Sequence, residues 1–175
     1  MKTNVLVLLA AGAAGTAAAQ PKPLPEQLST EKWFVGTWNC QGEAKQSSMG
    51  PGGKVADTLH CKMELGGAWL QVHVVIAGGP MKGKEVVDGF STWDGTQHVR
   101  YDFHMGGRLF RLSSTGWDGD KLVFAGETVS GDKMSMRHTM TRKGDNEFDS
   151  LFEIDGAEAV HETCKRAGKA PAAKK

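Results

Sequence analysis

The sequence predicts an all-β fold: an antiparallel, up-and-down barrel of about ten strands after a short helical turn. Three observations carry this expectation. Glycine-rich turn signals recur roughly every 8–12 residues, which is the spacing of a meander of short strands. The runs between them alternate apolar and polar residues with the period of two that a strand requires. Closing such a meander on itself removes both sheet edges, so a barrel is the economical arrangement; a two-sheet sandwich is the alternative.

The chain of 175 residues begins with Lys2, an apolar run from Val5 to Ala11 and the small residues Ala17-Ala18-Ala19. That is the pattern of a secretory signal peptide over residues 1–19, and the apolar run is too short to span a membrane. No cysteine follows it to carry a lipid anchor, and an exported protein, periplasmic or extracellular, is expected. Residues 20–29 (QPKPLPEQLS) read as a proline-rich linker. Thr30 to Phe34 can form one helical turn capped by Ser29 or Thr30, with Glu31 at its positive end.

Candidate strands then follow at 35–45, 54–65, 68–77, 84–93, 97–105, 108–116, 121–128, 133–142, 146–154 and 158–166, making one domain over residues 30–166. Leu59, Cys61, Met63 and Leu65 share a face, as do Phe148, Phe152 and Ile154, and Met134, Met136 and Met140 share one with His138. In the fifth run Val99, Tyr101, Phe103 and Met105 alternate with His98, Arg100, Asp102 and His104. The apolar set is expected inside and the polar row outside; an inverted strand would make that row, with Arg100, a floor for an anionic ligand. Trp-Asp-Gly occurs at Trp93 and again at Trp117. Asp-Gly is a preferred hairpin turn, and two copies are too few for a propeller.

Residues 20–162 hold fifteen cations against twenty acids, whereas Lys165, Arg166, Lys169, Lys174 and Lys175 follow with no acid. The acidic body excludes a nucleic-acid partner, which would need a basic footprint. The end at 167–175 is expected to be a disordered basic tail.

Cys40, Cys61 and Cys164 are an odd number for an oxidising compartment. A Cys40–Cys164 disulfide would join the first and last strands and staple the seam of the barrel, with a chain-entropy ceiling near 4–5 kcal/mol. Cys40–Cys61 is the alternative. Cys61, flanked on its face by Leu59 and Met63, is expected to be a buried, inert thiol. No CxxC, GxSxG or HExxH occurs, and no residue is singled out as catalytic or as a metal ligand. His98 and His104 lie about 20 Å apart along a strand, too far to share one ion.

The segments FVGTWNCQGEA, KMELGGAWLQVHVV, GFSTWDGTQHVRYDF and VHETCKR resemble, in that order, a family of exported bacterial proteins catalogued as domain of unknown function 1579, similar to the calycin superfamily. The resemblance covers about residues 30–166. It implies a calycin-like or lipocalin-like antiparallel barrel whose GxW element, Gly36-Thr37-Trp38, lies on the first strand with the tryptophan sealing one end. It carries no catalytic residues. Nitrobindin-like haem barrels share the GxW start but repeat glycines after it, where this chain has Asn39-Cys40-Gln41-Gly42.

A small apolar or amphipathic molecule is the expected ligand, held in the interior by Trp38, Trp69, Phe103, Phe110, Phe124 and a wall of Met134, Met136 and Met140. His73 and His138 are candidate polar lining residues, and His138 is the best placed to ligate a haem iron. No cofactor is required by this reading, and a filled structural module of the envelope, monomeric or weakly dimeric, is the alternative.

Overall fold

Trp38 and Cys40 are buried, whereas the alternate residues Asn39, Gln41 and Glu43 are exposed. This alternation defines the inside of a closed sheet, seen here in a computed structural model that describes residues 26–168. The expected signal peptide lies outside the described residues, as do linker residues 20–25 and tail residues 169–175.

The strands are β1 (Gly36–Ala44), β2 (Gly53–Glu64), β3 (Trp69–Ile76), β4 (Glu85–Trp93), β5 (His98–His104) and β6 (Arg108–Ser114). After the two-residue β7 (Trp117–Asp118) come β8 (Lys121–Ser130), β9 (Ser135–Arg142), β10 (Glu147–Ile154) and β11 (Ala157–Arg166). Each long strand pairs antiparallel with the next, β6 pairs directly with β8, and β11 returns to β1. The result is a closed ten-stranded up-and-down barrel, with β7 a short ribbon against the start of β8. The expected runs match these ten strands to within a few residues at each end. Trp93-Asp94-Gly95 makes the β4–β5 hairpin, where Asp94 Oδ1 accepts from the amides of Thr96 and Gln97 at 2.9 and 3.0 Å. Those two amides hold the Asp94 carboxyl below its usual range.

The helical element is longer than the sequence predicts. A 3-10 helix spans Glu26–Phe34, so Glu26 to Ser29 are helical rather than linker. Its buried residues, Leu28, Glu31 and Phe34, recur every third position, the period at which 3-10 side chains eclipse on one face. That face closes the end of the barrel where β1 begins. Trp38 is fully buried there as the GxW element implies, and its indole Nε1 donates to Phe34 O at 2.7 Å. Arg166, from β11, lies 4.1 Å over the Trp38 ring and donates to Val35 O and Trp33 O, each at 2.7 Å. Gly36 sits at φ +131°, and a Cβ there would stand 2.9 Å from Arg166 Nη1. Arg142 completes the plug, 3.7 Å from the Trp117 ring and 4.5 Å from that of Trp33.

A disulfide joins Cys40 to Cys164, which are register partners across the β1–β11 seam. Cys61 is free and buried, as its apolar neighbours predict. Leu65 departs from its expected inward face. It lies in the turn after β2 at φ +49° and is 78% exposed, because the strand has already ended at Glu64.

Fifth-strand polarity is the opposite of the expected one. His98, Arg100 and Asp102 are buried and face inward, and His104 lines the interior, while Phe103 and Met105 are about half exposed outside. Charges are tolerated here because each has a partner. Asp102 lies opposite Gly89 in β4, where any Cβ would stand 2.4 Å from Asp102 Oδ1, so the missing side chain makes the space for the ion pair.

Candidate functional site

The barrel encloses a cavity of about 220 Å³. Its walls are mainly apolar, from residues such as Leu59, Val72, Phe124, Met136, Met140 and Phe152. Met49, in the loop between β1 and β2, reaches over the end opposite the aromatic plug. That loop is tied down where Ser48 Oγ contacts Met134 Sδ at 3.3 Å.

Of the residues expected to line a pocket, Phe124, Met136, His138 and Met140 do so. Trp38, Phe110 and Met134 are buried in the core but do not line the cavity: Trp38 is in the plug, Phe110 packs against the His104 ring, and Met134 lies at the Met49 end. Trp69, His73 and Phe103 lie on outward faces. In β3 the inward residues are Leu70, Val72 and Val74, so strand alternation turns Trp69 and His73 out, and His73 meets Glu85 at 3.4 Å and Asp88 at 3.7 Å. Phe103 is 50% exposed, turned out with the rest of its face of β5.

Apart from Cys61 and His104, the polar groups of the cavity come in three sets. At the plugged end, Glu31 from the 3-10 helix accepts from Ser91 Oγ at 2.6 Å and lies 2.6 Å from His98 Nδ1. In the middle, Arg100 grips Asp102 with Nε at 2.8 and 2.9 Å from the two carboxylate oxygens, and with Nη2 on Oδ2. Arg100 Nη1 then lies 2.9 Å from His138 Nδ1, and His138 Nε2 lies 3.0 Å from Ser150 Oγ. The third set is a carboxyl pair. Asp57 from β2 and Glu162 from β11 meet across β1, where Gly42 interposes no side chain.

The middle set resembles a hydrolytic triad but works the other way round. Arginine can only donate, so His138 Nδ1 accepts and its single proton sits on Nε2, which donates to Ser150 Oγ. A serine nucleophile needs an unprotonated Nε2 facing it, with an acid on Nδ1. Arg100 in that place removes the base. Burial, aided by the Arg100 charge, holds His138 well below the usual histidine range, so it stays neutral. The chain Asp102–Arg100–His138–Ser150 therefore polarises the Ser150 hydroxyl as a hydrogen-bonding group in the cavity wall.

In the carboxyl pair, burial and the facing Asp57 push Glu162 up to about 8, and burial also raises Asp57. Around neutral pH one proton is thus held between them. Among the described residues Glu162 Oε1 and His104 Nε2, both buried on the cavity wall, have no hydrogen-bond partner. Cys61 adds a thiol that burial pushes up to about 12. The sulfurs of Cys40 and Cys164 lie within 4.8 Å of a Glu162 oxygen, but as a disulfide they offer no thiolate to a metal.

Asp57 and Glu162 were reachable from sequence, though sequence reading passes over them. Cys164 faces inward with Cys40, so Glu162, two residues earlier on the strand, must face inward too, and Asp57 follows by the same count from Leu59 and Cys61. The inward turn of Arg100 and Asp102 has no comparable anchor in β5.

Fold and site together define a closed antiparallel β-barrel with an apolar-walled interior and a few buried polar groups. No protein-family model matches the chain, and no curated protein does. Among solved structures it is similar to Rv2717c from M. tuberculosis, with a TM-score of 0.62 at 10% identity, over 83% of this chain and all of that one. It is also similar to a protein of unknown function of the DUF3598 family from Nostoc punctiforme, with a TM-score of 0.48 at 13% identity, over 86% of this chain and 53% of that one. At 10% identity the likeness to the first of these describes the fold alone.

Proposed function

We propose that the protein is an exported barrel of the domain of unknown function 1579 kind that binds a compact amphipathic molecule in its interior. One observation carries the reading. A cavity of about 220 Å³ has apolar walls and also presents two buried polar atoms, Glu162 Oε1 and His104 Nε2, that no fixed donor or acceptor among the described residues engages, Glu162 having only the proton it shares with Asp57. Leaving a buried polar atom unpaired costs about 1–3 kcal/mol, so such atoms mark the place of a ligand or of ordered water. The volume falls below the roughly 300–1,000 Å³ of pockets for drug-sized molecules, which points to a smaller ligand.

The disulfide and the signal-like first residues support export. Among the described residues no helix is long and apolar enough to cross a membrane. Haem ligation by His138 is not supported, since Arg100 and Ser150 engage both ring nitrogens. Native mass spectrometry of the protein recovered from its own cell tests the reading. A small co-purifying mass, absent from a variant whose cavity is filled by Met136→Trp, is expected. A bare protein mass, together with no thermal shift from any compact apolar compound, would leave a filled structural barrel.

A further inference from the structure

We infer that the ligand is an amphipathic primary amine, its ammonium held by Asp57 and Glu162 and its hydrocarbon part by Met136, Met140 and the apolar wall around them. This deepens the reading above and rests on it. The cavity lining carries four acids, Glu31, Asp57, Asp102 and Glu162, against one arginine. Glu31 is engaged by Ser91 and His98, and Asp102 by Arg100. Asp57 and Glu162 have no cation among the described residues. Buried carboxyls repel each other unless a proton or a cation sits between them.

An ammonium supplies three donors, and three oxygen-bearing groups converge on one patch of wall. Asp57 and Glu162 provide two. Ser150 is the register partner of Glu162 and faces the same interior. Its oxygen already accepts from His138 and keeps a second lone pair for an N–H. Oε1 of Glu162, a residue only 5% exposed, is the unsatisfied acceptor on this patch. A hard metal ion is a poorer match, because it seeks six or more oxygens and the surrounding wall is apolar.

The disulfide beside the pair and the other titratable groups of the cavity wall leave its excess negative charge in place. From β1 and β11 come the sulfurs of Cys40 and Cys164, which do not titrate. From β2 comes the Cys61 thiol, which stays protonated. From β5 come Arg100, neutralised by Asp102, and His104, which burial holds below the usual histidine range. From β9 comes neutral His138. An ammonium entering here takes the place of the shared proton, which leaves to solvent.

Titration calorimetry with pentylamine, pentanol and pentanoate, repeated in buffers of different ionisation enthalpy, tests this. Pentylamine should bind at least tenfold tighter than pentanol and release close to one proton at pH 7. Its affinity should rise by up to about tenfold per pH unit from 6 to 8 and level off above. Glu162→Gln should weaken pentylamine at least tenfold while leaving pentanol within about threefold, and Asp57→Asn gives the same comparison should the first variant not fold. Pentanol binding as tightly as pentylamine, or no proton release, would overturn the amine while leaving a ligand-binding barrel. Binding of none of the three would count against both.

Discussion

Replacing Arg100 by methionine leaves Asp102 buried without its cation. The pair is held by both oxygens of a carboxylate that is only 1% exposed, and the same guanidinium fixes the His138 tautomer. Removing one partner of a buried pair costs about 3–5 kcal/mol, because the remaining charge stays desolvated. For a domain of this size that lowers the melting temperature by on the order of 10 °C. Replacing both partners, Arg100→Met with Asp102→Leu, removes the uncompensated charge, and the double variant should recover to within roughly 1–2 kcal/mol of the parent. Urea denaturation at pH 7, followed by tryptophan fluorescence, gives the four corners of the cycle. The reasoning fails if Arg100→Met alone costs under about 1 kcal/mol, or if the double variant is as unstable as the sum of the singles.

Reducing the Cys40–Cys164 bridge, or replacing both residues by alanine, should lower stability by about 2–5 kcal/mol, given the 124-residue separation it closes; melting with and without reductant measures this, and the alanine variant should ignore the reductant. Cys61 should resist alkylation in the folded protein and react only after denaturation, as mass spectrometry after iodoacetamide would show, since its thiol is buried and stays protonated. Gly42→Ala should abolish folding or cost more than about 3 kcal/mol in urea, because its Cβ would stand 1.9 Å from His161 O of the neighbouring strand. Stability should also depend on pH in a particular sense. Glu162 is raised in the fold, so its contribution is full below the unfolded carboxyl range and is lost as pH rises toward about 8. His138 is lowered, so its contribution is full above the usual histidine range and is lost on acidification. The two oppose each other below about pH 6.5, which leaves a decline between 6.5 and 8 that Glu162→Gln should remove from urea midpoints taken at half-unit intervals.

Strand positions were legible because glycine-rich turns and two-residue alternation are local signals, and the seam disulfide followed from Cys40 and Cys164 lying on the first and last strands. Which face turns inward is a property of the closed barrel. It was legible where Trp38 or the disulfide fixed the parity, as in β1 and β11, and where methionines mark one face, as Met136 and Met140 do in β9. In β5 each face offers bulk, and the preference for burying apolar groups points the wrong way. Asp102, a space over Gly89 and a histidine 38 residues along the chain from Arg100 together make that inversion affordable, and no window of sequence contains all three. Trp69, His73 and Phe103 fall outside the cavity for the same reason: their chemistry suits a pocket, but their place in the alternation does not.

The eight methionines offer a direct probe of where a ligand goes. Methyl-labelled NMR of the folded protein, titrated with pentylamine, should shift the methyls of Met136 and Met140 on the cavity wall and leave those of Met81 and Met105, which are 42% and 48% exposed, where they are. Unmoved cavity methyls at millimolar pentylamine, or shifts confined to Met81 and Met105, would contradict binding inside the barrel.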